Sequence, residues 1–164
     1  MATFTVQGLP NLAQPNDSVC WYTCAQMLYQ WSKSNGSGGM IDPANNTMCQ
    51  EAFAAPRTWP AALGKLLAKQ LRMTPKDTEY ISLDYDCLWY VLNTSGPIWT
   101  SVYKNWRGND YGHVIVIAGC RTDGVYIHDP MPVKCGSRIW LTYDEIKKAV
   151  KEQDFADYHY LLST

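Results

Sequence analysis

The sequence carries almost no net charge: 14 lysines and arginines stand against 15 aspartates and glutamates, leaving −1 near neutrality. That balance removes the electrostatic case for nucleic acid or an anionic membrane as a partner. No apolar run approaches the length of a membrane span. The first residues, Met1-Ala2-Thr3-Phe4-Thr5-Val6, hold no basic stretch followed by an apolar one, so no Sec-type signal is visible. Internal repeats are missing as well. No cysteines or histidines show the companion spacing of a structural zinc site, and Cys20 and Cys24 lack further ligands nearby in sequence. Neither a metal nor an organic cofactor is expected. Histidine is scarce, at three residues, so each can be weighed individually.

What is abundant points to a packed enzyme-sized unit. The 164 residues are 46% hydrophobic and 13% aromatic, ample for a core and unlike a disordered segment. One domain over residues 1–164 is the default at this length. The cysteines are Cys20, Cys24, Cys49, Cys87, Cys120 and Cys135. A chain this long folds without staples, so free thiols in a reducing compartment are expected, with Cys24–Cys49 and Cys120–Cys135 as the alternative pairings.

Chemistry concentrates in two stretches. The first is Gln14-Pro15-Asn16-Asp17-Ser18-Val19-Cys20-Trp21, in which a cysteine opens a helix with Ser18 as its expected N-cap. Backbone N–H groups and the positive end of the dipole there favour a thiolate, the form that attacks a carbonyl carbon. Gln14, just upstream, can donate an amide N–H to an oxyanion beside the same sulfur. The second stretch is Tyr111-Gly112-His113-Val114-Ile115-Val116-Ile117-Ala118-Gly119, a β-branched run with His113 at its entrance. Val125-Tyr126-Ile127-His128-Asp129-Pro130 reads as the returning strand. A turn centred on Arg121 places Asp129 opposite His113 with Cβ atoms roughly 5 Å apart. A one-residue slip would move Asp129 to the other face. Cysteine, histidine and aspartate then supply a nucleophile, a base and an orienting group.

Other candidates have plainer roles. Cys24 lies one turn beyond Cys20, away from the helix end, and is expected to pack in the core. His128 should point away from Asp129 and serve as a structural residue or a pocket rim. His159, in Tyr158-His159-Tyr160, is expected to sit in a strand. Trp21, Trp99 and Trp106 are candidates to line a cleft, though large aromatics pack in cores more often.

The remaining pattern predicts a short strand at residues 3–6 and a loop at 8–17. Helices are expected over residues 19–31, 59–71 (capped by Thr58) and 84–93, the last ended by Gly96-Pro97. Residues 32–46, rich in Gly, Ser and Asn, have the composition of a mobile surface loop, with a plain linker between helices the favoured reading. A strand over 98–103 precedes a polar loop at 104–110. Strands follow near 138–141 and over 156–162, with a capping box at Thr142–Glu145 opening a helix to about Val150. Helices first and strands second make an α+β domain with the site at the seam.

Gln14, Cys20-Trp21, Gly112-His113 and Asp129-Pro130 together resemble the papain superfamily of cysteine peptidases, over about residues 10–150. Cys20 to Leu28, Gly96-Pro97-Ile98-Trp99 and Gly112 to Ile117 are similar to two small bacterial branches. One is related to bacteriocin-leader-processing peptidases and the other comprises papain-like effector peptidases of plant-associated bacteria. The resemblance implies a papain-like fold, its nucleophile helix packed on a C-terminal antiparallel sheet. It also implies Cys20 as nucleophile, His113 as general base, Asp129 as orienter and Gln14 as oxyanion donor. Asp129 stands where plant papain has asparagine, and the chain is short for that branch, so reaction class carries over better than substrate. The implied activity is cleavage of peptide or isopeptide amides in a bacterial effector or toxin domain. Such a protein would act in the bacterial cytoplasm or be exported by a specialised secretion system, and would be restrained by an inhibitor or immunity protein. The alternatives are a papain-fold amidase, deamidase or acyltransferase, and a non-catalytic binding module. Cell-wall amidases of the NlpC type usually have a much shorter cysteine-to-histidine spacing.

Overall fold

The computed structural model describes residues 2–35, 38–55, 63–76, 82–106, 109–151 and 159–162. Strand β1 (Thr3–Thr5) leads through a loop to helix α1 (Cys20–Ser34). A short 3-10 helix (Pro43–Asn45), α2 (Thr47–Ala54), α3 (Leu63–Leu71) and β2 (Met73–Lys76) follow. Helix α4 (Tyr85–Ser95) precedes β3 (Ile98–Trp106), β4 (Asn109–Arg121), β5 (Gly124–Asp129) and β6 (Ser137–Thr142). Helix α5 (Tyr143–Lys151) and β7 (His159–Leu162) complete the order. The fold is α+β, with an antiparallel seven-stranded sheet in the order β2-β7-β3-β4-β5-β6 and β1 paired to β4. Although the sheet is mostly C-terminal, β1 and β2 come from the helical half.

Alternation along β4 divides the core. Val114, Val116 and Ala118 pack with Trp21, Cys24, Met27 and Leu28 of α1 and with Leu67 and Leu71 of α3. Ile115 and Ile117 pack instead with Leu88, Val91 and Leu92 of α4 and with Ile146 and Val150 of α5. A strand buried on both faces reads as a continuous apolar run, which is why this one stands out in the sequence.

Several expected boundaries shift. Residues 104–106 and 109–110, expected in a polar loop, extend β3 and β4, and Trp106 pairs with Asn109. Strand pairing satisfies the backbone there, so polar composition did not mark a loop. Residues 38–46 are pinned: Met40 is buried, Ile41 N–H donates to Leu71 O at 3.0 Å, and Asp42 accepts from Gln26 at 3.2 Å. Asn46 then caps α2 by accepting from Cys49 N–H at 3.1 Å. The expected Thr58 cap lies outside the described residues, as does the start of the last strand. Pro75 is accommodated because β2 lies at the sheet edge. The capping box is present, with Thr142 N–H on Glu145 Oε2 at 2.7 Å and Glu145 N–H on Thr142 Oγ1 at 3.2 Å. All six cysteines are free thiols.

Gly96 ends α4 at φ 86°, ψ −160°, a region closed to other residues, and its N–H donates to Leu92 O at 3.1 Å. A Cβ there would come within 2.2 Å of the Trp31 ring. Gly96→Ala combines about 1–3 kcal/mol of backbone strain with overpacking of similar size. A chemical-denaturation midpoint far below that of the parent is the expected result.

Candidate active site

Helix α1 begins at Cys20, not under a Ser18 cap. Val19 occupies the N-cap position and offers no side-chain oxygen to the first turn. Ser18 instead gives its N–H to Asn16 Oδ1 at 3.0 Å. Asn46 and Asp84 cap α2 and α4 in the usual way. Only at α1 among these three is the positive helix end left to a thiol. Cys20 is half-buried and free. Trp99 Nε1 donates to Trp21 O at 3.1 Å, fixing the helix start to β3. Trp21 and Trp99 are therefore core residues and not cleft walls. The Trp106 side chain lies outside the described residues.

Cys24, one turn on, is buried and points its thiol at Val114 O, 3.3 Å away. Burial first, then Cys20 and Asp129, push this thiol well above the ordinary range. It is held as a neutral packing group.

The His113–Asp129 contact is present, but not in direct opposition. The β4–β5 turn is a tight Thr122-Asp123 connection with Arg121 paired to Gly124. Continued without interruption, that register would set Asp129 against Val116, on the face away from His113. Ala118 is an extra residue: Ile117 pairs with Ile127 while Gly119 pairs with Tyr126. The bulge restores Asp129 to the His113 face, one diagonal step along the strand. Ala118 O accepts from Val6 N–H at 2.8 Å. Gly119 lets β1 approach, since a Cβ there would lie 2.5 Å from Phe4 O.

His113 Nε2 and Asp129 Oδ1 are 2.6 Å apart, with both residues buried. Asp129 Oδ1 also accepts from Met131 N–H at 2.8 Å. Cys20 lies close enough to the imidazole to favour its charged form, with Nδ1 the ring nitrogen not bonded to Asp129. Burial works against charge on His113. Asp129 and Cys20 outweigh it and raise its pKa from 6.5 to about 9. The raised value means that the folded state prefers the proton. This contribution to stability is complete below pH 6.5 and fades as pH rises through about 9. The urea midpoint of the parent should fall as pH rises over that window, and His113→Asn should lose this dependence.

Gln14 is 1% exposed. Its N–H donates to Pro130 O at 3.0 Å, and Lys134 N–H donates to its carbonyl at 2.9 Å. Its Nε2 donates to Asn16 O at 2.6 Å, leaving a second N–H on the same nitrogen. Among the described residues Gln14 Oε1 has no hydrogen-bond partner. Thus His113 is bonded to Asp129 and lies near Cys20, while Gln14 is tied to the segment after Asp129.

Sequence reasoning missed that clamp, in which Lys134 adopts φ 65° although it is not glycine. His128, as expected, faces away from Asp129. It pairs with Val116, is buried, and sets Nδ1 3.0 Å from Pro10 O. Burial is the largest influence on His128 and lowers its pKa. His159 is in β7, opposite Thr100. Among the described residues no cluster of three or more His, Cys, Asp or Glu side chains is placed to hold a metal ion. No helix among them is long and apolar enough to cross a membrane.

Residues 3–139 match the family model described as papain-like cysteine protease AvrRpt2. No curated protein matches the chain. The fold is similar to the crystal structure of a Bacillus anthracis protein described as a C39-like peptidase. The TM-score is 0.61 at 13% identity, with 100% of this chain and 99% of that one covered. With a helix on an antiparallel sheet and a family match over most of its length, the chain belongs to the papain-like cysteine proteases of the AvrRpt2 family.

Proposed function

We propose that this cysteine peptidase cleaves peptide or isopeptide amides through a Cys20–His113–Asp129 triad, with Gln14 as an oxyanion donor and residues 1–164 acting as one papain-like unit. The supporting observation is the buried imidazole bonded to Asp129 at 2.6 Å, with Cys20, at an uncapped helix start, favouring its charged form. His113 takes the Cys20 proton and keeps it as imidazolium. The thiolate attacks the amide carbon, forming a C–S bond as the carbonyl pair moves to oxygen. The second Gln14 Nε2–H and the Cys20 backbone N–H stabilise that oxyanion. His113 protonates the departing amine as the C–N bond breaks. Water then attacks the thioester, giving one proton to His113, and the acid leaves as Cys20 is regenerated.

Family membership makes protein the substrate class. A bacterial effector or toxin role, in the cytoplasm or after specialised export, extends the proposal. So does restraint by an inhibitor or immunity protein, which copurification would reveal. The test of the reaction is incubation with a denatured protein mixture, followed by sequencing of new N-termini by mass spectrometry. New termini that vanish with Cys20→Ala are expected. Conversion of side-chain amides to acids without new termini would overturn peptide cleavage in favour of a deamidase.

A further inference from the structure

The loop carrying Gln14 is fastened at two points to the stretch of chain that carries Asp129. One is the pair of backbone bonds from Gln14 to Pro130 and Lys134. The other, four residues upstream, is the bond between His128 and Pro10 O. A carbonyl only accepts, so the imidazole carries its proton on Nδ1. The ring is 4% exposed and set edge-on to Tyr126, with centroids 5.5 Å apart and planes at 86°. Its donor therefore has a fixed direction. No step of the proposed reaction uses it.

Apolar contacts alone would not replace this bond. Leu9 is buried and Leu12 packs against the core, which sets the depth of the loop. Such contacts are non-directional and resist sliding over the surface weakly. The two bonds at Gln14 meet on one residue and leave it free to pivot. The Gln14 side chain bonds to Asn16 O, within the same loop, so its aim follows the loop. A second directional anchor removes the pivot. We propose that His128 is a positioning residue for the oxyanion donor, holding Pro10 so that Gln14 is aimed at the reacting carbonyl. This rests on the reading of Gln14 given above. Neighbouring side chains on opposite faces of β5 would then hold the base, through Asp129, and the oxyanion donor, through His128, in one frame.

The test pairs two rates: turnover of a peptide substrate, and alkylation of Cys20 by iodoacetamide, which needs no oxyanion donor. His128→Phe keeps a ring against Tyr126 but loses the donor. It should lower kcat by about 10–100-fold with little change in KM. Alkylation should stay within about twofold of the parent, a margin well below the effect of losing the base. His128→Asn places an amide N–H where Nδ1 stood and should restore most turnover. Adding His128→Phe to Gln14→Ala should cost no more than Gln14→Ala alone. Parallel loss of both rates, unchanged turnover, or failure of the Asn rescue would overturn the proposal. If His128→Phe does not fold, His128→Gln serves in its place, since its amide reaches one carbon too far; turnover equal to that of His128→Asn is then the overturning result. Unchanged turnover in Gln14→Ala is a separate failure, that of the oxyanion reading itself.

Discussion

Cys20→Ala should leave the fold standing and remove turnover by about 10⁴-fold or more, the scale seen when a covalent nucleophile is deleted. The fold should survive because the change is small. Cys20 is half-buried, unpaired in any disulfide and at the first position of α1, where alanine is a good helix former. Neither Cys24 nor Cys49 is placed to substitute: both are buried, and burial pushes the Cys49 thiol up to about 12. A thermal melt beside a progress curve checks both halves. Residual hydrolysis at a tenth of the parent rate in a folded variant would show that another group carries the chemistry.

Asp129→Ala should cost about 10²–10⁴-fold in turnover, because orientation of the base and support of its charge are lost together. It should also change the pH profile in a defined direction. In the parent, burial opposes charge on His113, and the hydrogen bond it donates to Asp129 heads the influences that outweigh it to give about 9. Without the carboxylate, burial meets less resistance and the imidazolium is lost at lower pH. The alkaline limb of kcat/KM, near 9 in the parent, should therefore move towards neutrality. Met131 N–H, which now donates to Asp129 at 2.8 Å, would lose that acceptor. An unsatisfied buried donor costs about 1–3 kcal/mol, so the variant should also melt earlier. Asp129→Asn separates the effects, since it keeps an acceptor for Met131 but removes the charge. A large activity loss with an unmoved alkaline limb would assign Asp129 to structure instead.

The parts of the site that were readable in sequence carry local marks. A glutamine and cysteine at a helix start, and a histidine entering a β-branched run, need only their neighbours to be noticed. The relation between His113 and Asp129 was partly readable. Turn-centred pairing put both on one face, which is the face they share, but the route differs. A tight turn would have separated them had Ala118 not bulged, and that bulge is stabilised by Val6, far away in sequence. Such compensation leaves no local signature. Ser18 is a good capping residue by type, yet the helix begins at Cys20 and the N-cap position falls to Val19. Helix α2 was hidden by its polar approach, where Asn46 acts as a cap and not as loop filler. Strand β2 was hidden by Pro75, acceptable only at an edge. The clamp on Gln14 and the His128–Pro10 bond join positions more than a hundred residues apart. Chain proximity cannot announce contacts of that kind.

One measurement bears on the central claim most directly: site-resolved alkylation by iodoacetamide of the folded parent, His113→Ala and Asp129→Ala, with peptide mapping of all six cysteines. The account predicts that Cys20 reacts first at neutral pH. Exposed Cys135 should follow more slowly, with buried Cys24, Cys49 and Cys120 protected. His113→Ala should bring Cys20 down to the rate of Cys135, and Asp129→Ala should place it between. Labelling of Cys20 no faster than Cys135 in the parent, or unaltered by loss of His113, would contradict an activated cysteine–histidine pair.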